Sequence, residues 1–303
     1  MTADEIRSLV NQLSVWRKGD QRAPHKPLLL LLALGRCLRG EPRLASYSEV
    51  DPPLRRLLAD FGPPRRSIHP EFPFWYLQND GLWELAHSDR LVVKSRRSPS
   101  KGKLLEHDIQ GGFSEPVQRV LKDDPALVAE LAGKLLETHF PATLHGDILQ
   151  AVGIDLDFPA GVRRSRDPEF RSRVLRAYEY RCAVCGFDVR MGASPVALEA
   201  AHIQWHQAGG PDIENNGIAL CVLHHRLFDR GAFALVEGMR LVVSEEAYGT
   251  AGFEEWLLRF HGAQLRPPQG PDYYPEARFT DWHVREVFRG RFRYLEDNPC
   301  TSS

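Results

Sequence analysis

The sequence predicts an α+β protein of two domains, and three observations carry that expectation. A chain of 303 residues is long for a single hydrophobic core. Apolar residues at helical spacing dominate the first half, up to a break rich in Pro, Gly and Arg at Phe158–Asp167. Beyond the break the pattern becomes strand, loop, strand, helix, framed by paired cysteine and histidine residues. The expected boundary lies near residue 160, giving one domain over residues 1–160 and a second over residues 161–303. With 43% hydrophobic and 10% aromatic residues, the composition is that of an ordinary globular chain. A formal net charge of −1 excludes a global cationic field, so any surface for a polyanion must be a local patch.

Taken in order, Thr2 is placed to cap a first helix through about Trp16, with Ile6, Leu9, Val10 and Leu13 on one face. GDQRAPHKPLLLLLALGRCL follows, with Pro27 suited to the first turn of a helix. Its apolar run, Pro27 to Gly35, is far short of the ~20 residues of a membrane helix and predicts a helix buried on several sides. Met1 is followed by an acidic helix start rather than a basic leader, so a cytoplasmic protein with no membrane partner is expected. Arg22, His25 and Lys26 stand at the start of the apolar helix, where free N–H groups and cations favour an anion such as phosphate; a solvated loop is the alternative. Ser46 to Phe61 reads as a capped helix interrupted by Pro52 and Pro53.

The next stretch, GPPRRSIHPEFPFWYLQNDGLWEL, offers charge from Arg65, Arg66 and His69 and apolar surface from Phe72 to Tyr76. Asn79-Asp80-Gly81 between two apolar runs predicts a β-hairpin. The basic segment from Lys94 to Leu104 reads as a loop, and three basic segments in the first 104 residues predict a shared phosphate-facing surface. Glu115 to Phe140 is helical with a division at Pro125, and His145 to Asp157 is one more short helix or an extended segment.

Asp167-Pro-Glu opens a helix that leads into two chelating pairs, Cys182-x-x-Cys185 and Cys221-x-x-His224. Three thiolates and one imidazole make an accepted closed tetrahedral zinc set, expected here to contribute directly to folding. The two remaining cysteines, Cys37 and Cys300, have no motif partner, so the five fit metal binding in a reducing compartment better than a disulfide framework. The 35 residues between the pairs exceed what a simple zinc ribbon needs and imply an insertion with its own task. Within it, PVALEAAHI predicts a strand ending at His202, Gln204 to Asn216 a polar loop, and IALCVLHHRLFDRG a strand passing into a helix. That order is the ββα-metal hairpin, and a histidine base with a divalent cation could supply an activated water and a polarised phosphoryl oxygen. Farther on, MRLVVS predicts a strand, Gly252 to Phe260 a helix and FTDWHVREVFRGRF a last helix whose Trp282 and His283 pack on the core.

EAAHI at Glu199 to Ile203, Asn216-Gly217, and LHHRLFDRG at Leu223 to Gly231 resemble the McrA-like HNH endonucleases. The resemblance implies His202 as general base, Asn216 as the residue that organises the loop and orients the base, and His225 as a ligand of a catalytic Mg²⁺ or Mn²⁺ ion. His224, by its spacing from Cys221, goes to zinc. Many relatives have an acidic metal ligand directly before the base; here that residue is Ala201, which leaves Glu199 and Asp229 as candidates, Asp229 with the stronger claim to a structural role.

APHKPLLLL at Ala23 to Leu31 and HPEFPFWYLQNDGLWEL at His69 to Leu85 resemble the sulfur-binding domains fused to such nucleases. Those domains recognise DNA whose backbone carries a phosphorothioate. The resemblance implies that Phe72, Pro73 and Tyr76 line an apolar cup for sulfur. His25 and Lys26 would adjoin it, with His69 at the same DNA-binding face. Arg65, Arg66, Ser67 and the 94–103 loop would meet flanking phosphates or a groove. The expected function is a modification-dependent restriction endonuclease acting on double-stranded DNA as a homodimer or by successive nicks. The competing expectations are an HNH nuclease directed to another mark, such as methylcytosine, and a catalytically silent zinc-containing DNA-binding protein.

Overall fold

The computed structural model describes residues 1–16, 19–91, 98–154, 167–237 and 239–294. They fall into two compact units, Met1–Val162 and Arg163–Ser303. The basic residues Lys94, Arg96 and Arg97, the boundary expected near residue 160, and Cys300 lie outside the described residues. Among the described residues, no helix is long and apolar enough to cross a membrane.

The first unit contains α1 (Ala3–Asn11), α2 (His25–Leu38), β1 (Ala45–Ser46), α3 (Tyr47–Phe61), α4 (Glu71–Tyr76), β2 (Trp83–Ala86), α5 (Lys101–Glu106), β3 (Gln110–Phe113), α6 (Glu115–Asp123), α7 (Pro125–His139) and α8 (Ala142–Val152). Thr2 caps α1 in a capping box with Glu5, but the helix ends at Asn11 rather than Trp16. Helix α2 is the centre: Leu28 through Leu34 are all buried, and α3, α4, α6, α7 and α8 pack around it. Being apolar on every side, it can only exist surrounded. Prolines 52 and 53 do not interrupt α3; both are exposed, so water can satisfy the carbonyls they leave without donors, while the Ser46–Glu49 capping box fixes the start.

The hairpin expected around Asn79-Asp80-Gly81 does not form. Its first arm is helical, α4 followed by a 3-10 turn over Leu77–Asp80, and Gly81 at φ 77° terminates that turn. A left-handed glycine serves a helix end as readily as a hairpin, and here burial of Phe74 decides for the helix. Phe74 meets Tyr47 edge-on at 5.1 Å and Trp83 at 5.9 Å. Strand β2 pairs instead with β3, Trp83 opposite Phe113, and β3 pairs with β1, all antiparallel. The end of the basic segment expected as a loop, from Lys101 to Leu104, belongs to helix α5.

The second unit contains α9 (Pro168–Ala177), β4 (Arg190–Met191), β5 (Ser194–Pro195), β6 (Leu198–His202), β7 (Gly217–Cys221), α10 (Val222–Asp229), β8 (Phe233–Val236), β9 (Arg240–Val243), α11 (Ala251–Trp256) and α12 (Ala277–Glu286). Asp167 caps α9 through the Glu169 N–H. Strands β6 and β7 are antiparallel, Leu198 opposite Cys221 and His202 opposite Gly217, and both α9 and α10 pack on them. Phe170, Val174, Tyr178, Ile218, Phe228 and Phe233 belong to one buried cluster. His283 on α12 is fully buried, stacked on Phe228 at 3.7 Å, so it packs as expected.

Candidate functional site

The thiol and imidazole pairs converge because β7 ends at Cys221 and α10 begins at once, bringing Cys221 and His224 to the knuckle of Cys182 and Cys185. The four donor atoms lie within 4.8 Å of one another. Cys221 Sγ is 3.1 Å and Cys182 Sγ 3.7 Å from His224 Nδ1, and Cys185 Sγ is 4.0 Å from Cys221 Sγ. A tetrahedron with bonds of about 2.1–2.3 Å has edges of about 3.4–3.8 Å, so the spacing fits a zinc-sized ion. His224 Nε2 is 2.9 Å from the Trp256 carbonyl, which fixes the proton there and turns Nδ1 to the cluster. Within the cluster, hydrogen bonds from Cys182 and Cys185 hold the Cys221 thiol below its usual range, and those with Cys185 and Cys221 push Cys182 up.

His202 ends β6 with its side chain 10% exposed. Its ring stacks on Phe170 of α9 at 4.1 Å, and its Nε2 is 2.7 Å from Asp212 Oδ1. Asp212 is held in turn: its Oδ2 accepts from the Asp167 N–H at 3.1 Å, and its carbonyl accepts from Arg173 Nη2 at 2.7 Å. Burial alone would raise the Asp212 carboxyl, but the Asp167 N–H and His202 outweigh it and hold the group below its usual value. His206 Nδ1 lies 3.4 Å from the same Oδ1. In the sequence His206 reads as loop packing and Asp212 carries no signal of its own beyond a polar loop returning between two strands.

Asn216 is fully buried and ties that loop shut. Its Oδ1 accepts from the Gln204 N–H at 2.8 Å, and its Nδ2 donates to the carbonyls of Gln204 at 3.0 Å and Pro211 at 2.9 Å. Gly210 is required beside it, since a Cβ there would stand 1.8 Å from the Gln204 carbonyl oxygen.

His225 lies one turn into α10, its side chain 14% exposed between two carboxylates. Nδ1 is 2.7 Å from Glu199 Oε2 and Nε2 is 3.2 Å from Asp229 Oδ2. Burial disfavours the charged imidazole, yet Asp229 and Glu199 overcome it and push the group up to about 9. Because the two carboxylates flank opposite ring nitrogens, a divalent ion bound to His225 in the proton's place would have Glu199 beside it at Nδ1 or Asp229 beside it at Nε2, the other carboxylate holding the ring. Asp229 is buried on the side of His225 opposite Glu199.

In the first unit, α4 turns Phe72 outward, 44% exposed, and leaves Tyr76 half-buried on the same face, whereas Pro73 is buried. Phe72 stacks on His69 at 4.8 Å, and His69 is fixed between Ser67 Oγ and Glu71 Oε1, each at 2.8 Å. Arg65 and Arg66 are adjacent in the chain and both exposed. Burial, with Arg65, His69 and Arg22 nearby, pushes His25 down to about 4. Lys26 is ion-paired with Asp80, whose other oxygen accepts from the Ser14 N–H at 2.8 Å. The charge of Lys26 is thus met within the protein, which the sequence did not reveal.

The profile of the ScoMcrA-like DNA sulfur-binding domain matches residues 3–157, and that of an HNH endonuclease matches residues 182–236. Similar solved structures include the sulfur binding domain of ScoMcrA complexed with phosphorothioated DNA, 26% identical over 48% of this chain and 94% of that one, TM-score 0.43. The corresponding SprMcrA complex is 24% identical over 51% and 95%, TM-score 0.43. ScoMcrA itself, a type IV phosphorothioation-dependent restriction endonuclease, is 27% identical over 43% of this chain and 26% of its own, TM-score 0.38. No curated protein matches the chain. With the first profile spanning half of its length and the second lying beyond it, the chain belongs to the ScoMcrA-like DNA sulfur-binding family and carries an HNH nuclease domain.

Proposed function

We propose that this chain is a modification-dependent restriction endonuclease that binds phosphorothioate-modified duplex DNA through residues 1–160 and hydrolyses a nearby phosphodiester through residues 161–303. The observation that carries the reading is the union, in one chain, of a sulfur-binding family match and an HNH match. Sulfur is larger, softer and less hydrated than oxygen, so an apolar contact favours it while cations hold the anionic charge. Exposed Phe72, braced by His69, and half-buried Tyr76 supply the apolar wall, with Pro73 buried behind them. His25, Arg65, Arg66 and Ser67 meet the backbone around it, and Lys26 contributes through its pair with Asp80.

In the second domain His202 is the general base. In the tautomer that donates Nε2–H to Asp212, the lone pair that takes the proton of water is on Nδ1. Asn216 keeps the loop closed and so holds that pair in register. His225 would hold a Mg²⁺ or Mn²⁺ ion at Nδ1 beside Glu199, with Asp229 holding Nε2 on the other side of the ring. When bound, such an ion polarises the phosphoryl oxygen and stabilises the leaving group. Cys182, Cys185, Cys221 and His224 hold a structural zinc that braces the hairpin. Cutting both strands then takes two such sites in a homodimer, or two successive nicks.

The test is cleavage of matched phosphorothioate and plain duplexes with Mg²⁺ and Mn²⁺ in turn. Preferential cutting of the modified duplex is expected, abolished by His202→Ala with DNA binding retained. Equal affinity for both duplexes would leave an HNH nuclease without sulfur recognition, and undiminished cutting by His202→Ala would remove the base assignment.

A further inference from the structure

We infer that His202, His206 and Asp212 form a second transition-metal site, one that takes a zinc-class divalent ion and switches the nuclease off. The metal-binding part stands on geometry alone; the switching part rests on His202 being the general base. His202 Nε2, His206 Nδ1 and an Asp212 oxygen lie within 4.8 Å of one another. Asp212 Oδ1 is the common neighbour, 2.7 Å from His202 Nε2 and 3.4 Å from His206 Nδ1. Ligands about 2.0–2.2 Å from one ion stand about 3–3.5 Å apart, a spacing that small side-chain rotations reach from here.

A second observation is independent of that spacing. His206 Nδ1 is buried and makes no hydrogen bond. An orphaned ring nitrogen under cover is costly, and a metal ligand is one of the few uses that removes the cost. The other two donors are set in place from outside the trio, His202 by stacking on Phe170 and Asp212 by the Asp167 N–H. Two imidazoles and one carboxylate select borderline ions such as Zn²⁺, Co²⁺ or Ni²⁺ over Mg²⁺, which prefers oxygen.

The consequence for the base follows from imidazole chemistry. Ligation through Nε2 requires the His202 proton to sit on Nδ1. The ion replaces the Nε2 proton and its hydrogen bond to Asp212, the imidazole keeps one proton on Nδ1, and the lone pair that would accept the proton of water is gone. The same carboxylate that orients the base without zinc becomes its co-ligand with zinc.

The experiment compares the full chain with His206→Ala, a change at a partly exposed ring that leaves the His202–Asp212 pair intact. Zinc per chain is measured after equilibrium dialysis at a series of free Zn²⁺ concentrations, and Zn²⁺ is then titrated into Mg²⁺-supported cleavage. The native chain should hold one more zinc than His206→Ala. The zinc needed for half-inhibition should rise at least about tenfold in the variant. Equal zinc contents overturn the site. An extra zinc that leaves cleavage untouched overturns its overlap with the base. Should neither protein cleave any DNA, the nuclease reading falls while the zinc count still decides the site.

Discussion

Replacing Asn216 by alanine should open the loop that carries Asp212 and uncouple it from His202. The side chain makes three hydrogen bonds, one accepted from Gln204 N–H and two donated to carbonyls, and it is fully buried. At about 1 kcal/mol net for each, their loss is worth about 3 kcal/mol. Left closed, the loop would bury three unsatisfied backbone groups at about 1–3 kcal/mol apiece, so it relieves the strain by opening to water. The local readout is amide hydrogen exchange at Gln204 and Gly210. About 3 kcal/mol corresponds to exchange about a hundredfold faster, while amides of α12 should be unaffected. Asn216→Asp retains the acceptor but turns an oxygen toward the carbonyls of Gln204 and Pro211, so it should open the loop at least as far. Exchange at Gln204 within twofold of the native rate would refute the reasoning.

Three other outcomes are expected. Stripping the ion from the Cys182, Cys185, Cys221 and His224 cluster with a strong chelator should unfold the second unit, because structural zinc contributes about 10–16 kcal/mol in small domains; circular dichroism melts that are indifferent to chelation would contradict it. Lys26→Met should leave the slope of log affinity for DNA against log salt nearly unchanged, whereas Arg66→Met should flatten it by about 0.9, because Asp80 already neutralises Lys26. His25, down at about 4 in the fold against about 6.5 unfolded, binds its proton more readily unfolded, so the first unit should lose up to about 3 kcal/mol as pH falls from 6.5 to 4; His25→Asn should flatten that dependence in urea titrations.

Elements whose residues are close in sequence were legible, and those completed by distant partners were not. The leucine run dictated a buried α2, and the Thr2 and Ser46 capping boxes marked two helix starts. The two-residue gaps at Cys182 and Cys221 announced a shared cluster of donors because a chelating pair needs only its own spacing. The left-handed Gly81 was visible as a turn, but whether it ended a helix or turned a hairpin depended on Tyr47 and Trp83 packing on Phe74. Lys26 met Asp80 across 54 residues, and His202 met Asp212 across a loop that Asn216 ties shut. Neither partner leaves a periodic trace.

Ala201 shows how the hairpin meets an apparent gap in its ligand set. The residue is fully buried and opposite Ile218, so a carboxylate there would need a partner inside the sheet. A strand repeats its faces every second residue, which puts Glu199 on the same face one step earlier. A helix repeats every three to four, which puts Asp229 one turn beyond His225. The two meet opposite nitrogens of one imidazole, Glu199 at Nδ1 and Asp229 at Nε2. Two negative charges beside one cation leave the group anionic overall, and a divalent ion replacing the proton would neutralise it. On the proposed reading, the negative charge missing at position 201 comes from Glu199, one step back along β6, while Asp229, one turn on along α10, holds the other side of the His225 ring.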